Sequence, residues 1–248
     1  MEGEPQQIEK RVLVTFDIDG TLIQSSGSDS NKLHRRAFSY AFLEVFGIEG
    51  TIDAIQHHGQ TDPSVIVNTL VHYGIPYEVA TEKLPVLKSK MIEYAREHSK
   101  EVGGLQVLPG VESLLQALSS KQNVAIGLVT GNLEEIAWLK MEGLGIKKYF
   151  TVPNFGGFGS DHIDRGHLVK IAADRAATLF SGSFDLRVHV GDTPNDIKAA
   201  EFGGALAVGV CTGIFNEEQL KEASSGGAVI LANLCDIGVF MSLLGIES

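Results

Sequence analysis

Val12-Leu13-Val14-Thr15-Phe16-Asp17-Ile18-Asp19-Gly20-Thr21-Leu22 is the stretch from which this chain is best read. A short apolar run of the kind that forms a buried strand leads into two carboxylates one residue apart. A carboxylate buried beside such a strand is costly, so the pair belongs at the strand's mouth. In parallel α/β sheets that is also where ligands bind. Side chains two apart in extended chain point the same way, so Asp17 and Asp19 are expected to converge. Two like charges at one spot need a cation, and hard oxygen ligands favour Mg²⁺. A turn built from Asp and Gly explains the same letters. The motif alone does not separate the two readings.

Further apolar runs of strand length occur at 124–129, 188–190, 205–210 and 228–231. Helical patterns alternate with the later ones, at 111–118, 133–141 and 167–179. Alternation of this kind predicts a parallel sheet covered on both faces, a doubly wound, Rossmann-like α/β fold. From Asn31 to about Ser99 the periodicity is helical throughout, with Pro85 as a break and Asp62-Pro63 as a capped helix start. This is too long for an ordinary crossover. It predicts an inserted helical cap domain at 25–100, with 1–24 and 101–248 forming the α/β core. Gly156-Gly157-Phe158-Gly159-Ser160 reads as a flexible loop.

Two more predicted strands end in polar clusters. One runs into Thr130-Gly131-Asn132, where a hydroxyl and the backbone N–H groups of a helix start can cradle an anion. Another runs into Gly191-Asp192-Thr193-Pro194-Asn195-Asp196, a second carboxylate pair. Each is also an ordinary helix entrance. Three strand ends of this kind in one chain turn the turn motif into a candidate metal and phosphate site.

Composition narrows the classes. Among 248 residues the formal net charge is −11, which disfavours nucleic acid as a partner and means that an anionic substrate needs local positive charge. Two cysteines without C-x-x-C spacing signal no zinc site and suit a reducing compartment. No apolar run approaches the ~20 residues of a spanning helix, and the polar N-terminus lacks a signal peptide's apolar stretch. The expectation is a cytoplasmic protein with no membrane partner, compatible with a monomer or a homodimer.

The three strand-end motifs, Phe16–Leu22, Val129–Asn132 and Gly191–Asp196, resemble motifs I, II and IV of the haloacid dehalogenase superfamily in order and spacing, over roughly residues 10–235. The helical insert lies where that superfamily carries its C1 cap. The resemblance implies Asp17 as a nucleophile that forms an aspartyl-phosphate, and Asp19 as the general acid and base. A carboxylate at that second position marks the phosphatases of the superfamily. It further implies Thr130, Gly131 and Asn132 as phosphoryl ligands. Mg²⁺ would be held by the Asp17 side chain, the Asp19 carbonyl and Asp192, with Asp196 in support. The basic third motif, usually Lys-Pro, is absent. Arg165, at a helix entrance, is preferred in that role over Lys170. The segment His57-His58-Gly59-Gln60-Thr61-Asp62 resembles the Gly-x-Thr-Asp cap loop of phosphoglycolate phosphatases and phosphoglucomutase-like relatives. That nominates Gln60 and Thr61 for substrate binding.

The leading expectation is therefore Mg²⁺-dependent hydrolysis of a small phosphorylated metabolite. A phosphomutase using the same intermediate is the enzymatic alternative. A signalling or binding protein that holds a phospho-Asp without turnover is the alternative from another class. Trp138, Met91, Tyr94 and His189 read as packing residues.

Overall fold

Val12–Phe16 forms β1, buried along its whole length and hydrogen-bonded to a parallel neighbour on each side. Only such a central strand needs to be apolar on both faces. The computed structural model describes residues 10–25, 31–101 and 104–246. After β1 come β2 (Ile23–Ser25), α1 (Lys32–Phe46), α2 (Asp62–His72), α3 (Tyr77–Glu82), α4 (Leu84–Glu97) and β3 (Leu105–Val107). The chain continues through α5 (Val111–Ser119), β4 (Val124–Thr130), α6 (Glu134–Gly143), β5 (Gly156–Phe158), α7 (Arg165–Leu179) and β6 (Leu186–Gly191). It ends with α8 (Pro194–Phe202), β7 (Leu206–Val210), α9 (Glu217–Glu222), β8 (Val229–Leu231) and α10 (Ile237–Leu244).

The main sheet is parallel, in the order β5-β4-β1-β6-β7-β8. Alternate β1 side chains serve its two faces. Val12, Val14 and Phe16 pack with Leu114, Leu115 and Leu118 of α5 and Phe240 of α10, whereas Leu13 packs with Ala173 and Ala176 of α7. This is the expected doubly wound α/β architecture. The order runs outward from β1 in both directions, so the topological switch point lies at β1, between β4 and β6. Phe16 is level with Leu128 of β4 and Val190 of β6. Asp17, Thr130 and Asp192 therefore emerge on one rim of the sheet.

The helical insert leaves and rejoins the core through an antiparallel ribbon of β2 and β3, with Ile23 opposite Val107. The sequence reading contains neither strand, since three residues carry too little periodicity. Helices α1–α4 enclose a cluster including Phe38, Phe42, Ile66, Leu70, Leu87 and Met91, which extends onto Leu133 and Ile136 at the start of α6. The insert thus has its own apolar interior and rests on the core beside the motif at the end of β4.

The break expected at Pro85 is present: α3 ends at Glu82 and α4 starts at Leu84, with the proline in the first turn of α4, where the missing N–H is no loss. Two local expectations are corrected. The cap of α2 is Thr61, whose hydroxyl accepts the Ser64 N–H, not Asp62. Gly156-Gly157-Phe158 is an edge strand, buried throughout, rather than a flexible loop. A Cβ on Gly157 would lie 2.0 Å from the Leu168 carbonyl oxygen. These glycines admit a close helix–strand approach. Among the described residues no helix is long and apolar enough to cross a membrane.

Candidate active site

The strand ends bring three carboxylates together. Asp17, Asp192 and Asp196 are buried and offer oxygen atoms that all lie within 4.8 Å of one another. Gly20, at φ +90°, turns the chain directly after β1, a conformation that favours glycine. A Cβ there would lie 2.3 Å from an Asp192 oxygen, and one on Gly213 would lie 1.8 Å from it. The Asp192 carboxylate thus sits in a slot between two glycines, where Thr21 donates to its Oδ1 at 3.1 Å.

Arg165 is the cation of this cluster. As the first residue of α7, behind an Asp164 N-cap, it is buried and reaches inward. Its Nη2 lies 2.8 Å from Asp17 Oδ1 and also bonds Asp196 Oδ1, while Nη1 donates to the Gly59 carbonyl at 3.4 Å. Lys170, one turn and a half further on, is exposed and pairs with Asp174 at 2.8 Å. Asp196 uses both of its oxygens on the protein. Oδ1 takes Arg165 and His189, and Oδ2 takes the Thr193 N–H and hydroxyl in the capping box of α8. It acts as a brace for Arg165 more than as an open ligand.

Burial raises the Asp17 pKa to about 6; Arg165 opposes the shift, and Asp196 and Asp19 add to it. Burial, then Asp17 and Asp196, push Asp192 well above the ordinary carboxylate range. Burial would raise Asp196 as well, but Arg165, His189 and Thr193 outweigh it and hold Asp196 low. An all-oxygen donor set with excess negative charge fits a hard divalent cation of the Mg²⁺ type.

A pH dependence follows. Asp17 binds its proton more tightly folded than unfolded, so its contribution to stability falls as pH rises from about 4 through about 6. A cation held by the three carboxylates would replace that proton. The gap between the melting temperature with Mg²⁺ and in EDTA is therefore expected to widen from about pH 5 to about pH 7.5. A constant gap would mean that the metal binds elsewhere.

Asp19 does not join the cluster. The strand ends at Phe16 and the chain turns, so the side-chain alternation expected to bring Asp17 and Asp19 together no longer applies. Instead Lys140 Nζ holds the Asp19 carboxylate at 2.8 and 2.9 Å, and Asn132 donates to it at 3.0 Å. Burial tends to raise the Asp19 pKa, but Lys140 and His34 lower it overall. Thr130, at the end of β4, is fully buried, and its hydroxyl accepts from the Asn132 amide at 3.0 Å. Asn132 thereby ties the β4 motif to the β1 motif.

The loop at 57–62 is seated on the core. The Asp62 N–H donates to the Gly131 carbonyl at 2.8 Å, Asp62 Oδ2 accepts the Leu133 N–H at 2.9 Å, and the Thr61 hydroxyl donates to the Ile163 carbonyl at 2.7 Å. Gln60 turns its side-chain amide back onto the insert: Nε2 donates to the Gln56 carbonyl at 2.7 Å, and Oε1 accepts from Ser64 and Asn68 of α2 at 3.2 and 2.9 Å. A Cβ on Gly131 would meet the Gln60 carbonyl oxygen at 2.3 Å. Gly131→Ala is therefore expected to lift this loop, raising KM and costing about 1–3 kcal/mol of stability. Steady-state kinetics and thermal melts check it.

Lys140 and His34 belong to no motif of the sequence reading, which contains Asp62 only as a helix cap within the Gly-x-Thr-Asp segment. One signal was available for Lys140. On α6 it falls on the same buried face as Ile136, Ala137 and Met141, and a lysine on an apolar stripe calls for an explanation.

Comparisons with known proteins agree with this geometry. The model of the haloacid dehalogenase-like hydrolase family matches residues 12–204. A phosphoglycolate phosphatase from Pseudomonas putida is 28% identical over 225 residues, spanning 88% of this chain and 75% of that protein. A probable phosphatase, IndB, from Dickeya dadantii is 28% identical over 228 residues, spanning 85% of this chain and 86% of its own. The crystal structure of a hydrolase from Pseudomonas syringae superposes with a TM-score of 0.62 at 21% identity, covering 96% of this chain and all of that one, and so shares its fold.

Proposed function

Because the chain belongs to the haloacid dehalogenase-like hydrolases, we propose that it hydrolyses a small phosphate monoester through an aspartyl-phosphate on Asp17. One observation carries the reading: the Asp17 carboxylate lies at the switch point of the sheet, beside Asp192 and Asp196 and 2.8 Å from the Arg165 guanidinium. It is the one carboxylate of the trio that leads directly out of the central strand.

Asp17 attacks phosphorus and the bond to the leaving oxygen breaks. Asp19 gives that oxygen a proton. Water then attacks the phosphorus of the aspartyl-phosphate, Asp19 takes the water's proton, and inorganic phosphate leaves with the Asp17 carboxylate restored. Thr130 and the backbone N–H groups of Gly131 and Asn132 bind phosphoryl oxygens. Arg165 keeps Asp17 directed and partly neutralised, in the part that the family's third motif gives to lysine. A divalent cation such as Mg²⁺, held by Asp17, the Asp19 carbonyl and Asp192 with Asp196 behind them, supplies the charge that offsets repulsion between a carboxylate and a phosphate dianion.

The helices at 25–100 serve as the cap over a core of 1–24 and 101–248, and Gln60 and Thr61 shape the cap loop that meets the substrate. The carboxylate nucleophile, the phosphate cradle and the relatives named phosphatases support a small phosphorylated metabolite as substrate. The test is phosphate release from a panel of such metabolites with Mg²⁺ and with EDTA. Metal-dependent release from a panel member supports the reading. A lasting phospho-Asp without release would favour a binding or signalling protein.

A further inference from the structure

Lys140 is the one lysine whose side chain is fully buried among the described residues. Burying an ammonium is costly, and an apolar side chain of similar volume often packs at least as stably in such a place. Its neighbours on the buried face of α6, Ile136, Ala137 and Met141, are the residues that the packing alone would select. What distinguishes the site is how completely the ammonium is met. It has three hydrogens and no lone pair. One side is taken by both Asp19 oxygens, at 2.8 and 2.9 Å, another by Asn132 Oδ1 at 2.7 Å, and the third by His34 Nδ1 at 3.3 Å.

The contact with His34 fixes the direction of the remaining bonds. Since Lys140 can only donate, His34 Nδ1 accepts, and its hydrogen lies on Nε2, 2.9 Å from Asp62 Oδ2. Asp62 is itself held by the Leu133 N–H. Lys140 is therefore anchored from the insert and from the β4 motif, and Asp19 is held in turn. Asn132 contributes at both ends: its Oδ1 accepts from Lys140 while its Nδ2 donates to Asp19. Apart from Lys140, the described groups that hold Asp19 are amides, Asn132 at 3.0 Å and Asn31 at 3.4 Å.

We infer that Lys140 is a positioning residue for the proposed reaction: it never meets the substrate, but its ammonium fixes the direction in which the Asp19 carboxylate faces the leaving oxygen. The inference rests on the phosphoryl-transfer reading above. It gives this lysine a use that a packing role lacks: kcat/KM reports the steps up to departure of the leaving group, and in those a residue acting through Asp19 matters only where the leaving oxygen needs a proton.

The experiment compares kcat/KM for phenyl phosphate, whose leaving oxygen is basic, with that for 2,4-dinitrophenyl phosphate, whose leaving oxygen departs without a proton. Both are aryl esters of similar shape. Lys140→Met is expected to lower kcat/KM about 10²–10³-fold for phenyl phosphate and less than about fivefold for the dinitrophenyl ester. Added to Asp19→Asn, Lys140→Met is expected to cause no further loss with phenyl phosphate, since both changes remove one function. Equal loss on the two esters, or an additive loss in the double variant, would overturn the inference and leave Lys140 a structural residue. If Lys140→Met does not yield folded protein by thermal melt, Lys140→Gln is read by the same ratio. The parent reading fails separately: Asp17→Asn turning over phenyl phosphate at the wild-type rate would remove the aspartyl-phosphate itself.

Discussion

Asp17→Asn is expected to lower phosphate release by on the order of 10⁵-fold, as removing a covalent nucleophile does elsewhere. The fold is expected to survive. Asp17 is a buried carboxylate whose pKa stands at about 6, so its ionised form is disfavoured where it lies. An amide of the same shape relieves that burial and the repulsion of Asp17 with Asp196, Asp19 and Asp192, and Arg165 keeps Asp196 as its partner. The melting temperature in EDTA at neutral pH is thus expected to hold or rise, while the added stability from Mg²⁺ shrinks. Activity and stability moving in opposite directions is the signature of a site that holds like charges together for chemistry. Melts with and without Mg²⁺, beside phosphate release, give both readings. Wild-type turnover in Asp17→Asn would end the proposed mechanism.

Arg165→Ala is expected to have the second large effect, with both properties lost together. The guanidinium bridges Asp17 and Asp196 and reaches the Gly59 carbonyl on the insert's loop. Without it two buried carboxylates lose their cation, a change that costs about 3–5 kcal/mol in comparable buried pairs. Turnover is expected to fall by about 10³-fold, in the range seen when a positioned electrostatic group is removed. Arg165→Lys is expected to recover only part of this, because one ammonium cannot reproduce the planar fork that spans two carboxylates and a carbonyl. Lys170→Ala is the control. Its partner Asp174 is exposed, and such pairs contribute about 0–1 kcal/mol. If Lys170→Ala proved the more damaging, the basic role would belong to that residue.

Much of the fold was legible because a parallel sheet writes itself into sequence as separate apolar runs. Residues 12–16 were read as a strand and form one. The run at 124–129 gains only Thr130 in the structure. The helical insert was legible from its length and periodicity. The ribbon of β2 and β3 was not, since three-residue strands owe their pairing to the elements around them. The edge strand at Gly156–Phe158 was hidden for another reason. Glycines look like freedom in a sequence, and here they allow close contact with Leu128 and Leu168.

At the site, the residue types at the ends of β1, β4 and β6 were visible in the sequence by themselves, because motif and strand end coincide at Asp17, Thr130 and Asp192. The choice of Arg165 over Lys170 as the nearer cation could be argued from its place at a helix entrance, and the fold sets it against Asp17. Only the tertiary structure separated Asp17 from Asp19. Two positions in one short motif, they face different cations, because the chain turns after Phe16 and sends one carboxylate to Arg165 and the other to Lys140. Lys140 lies 121 residues from Asp19 in sequence and 106 from His34. Sequence spacing carries the partners that one strand or helix brings together. A buried charge network assembled from the turn after β1, the insert and α6 exists only once those elements have packed.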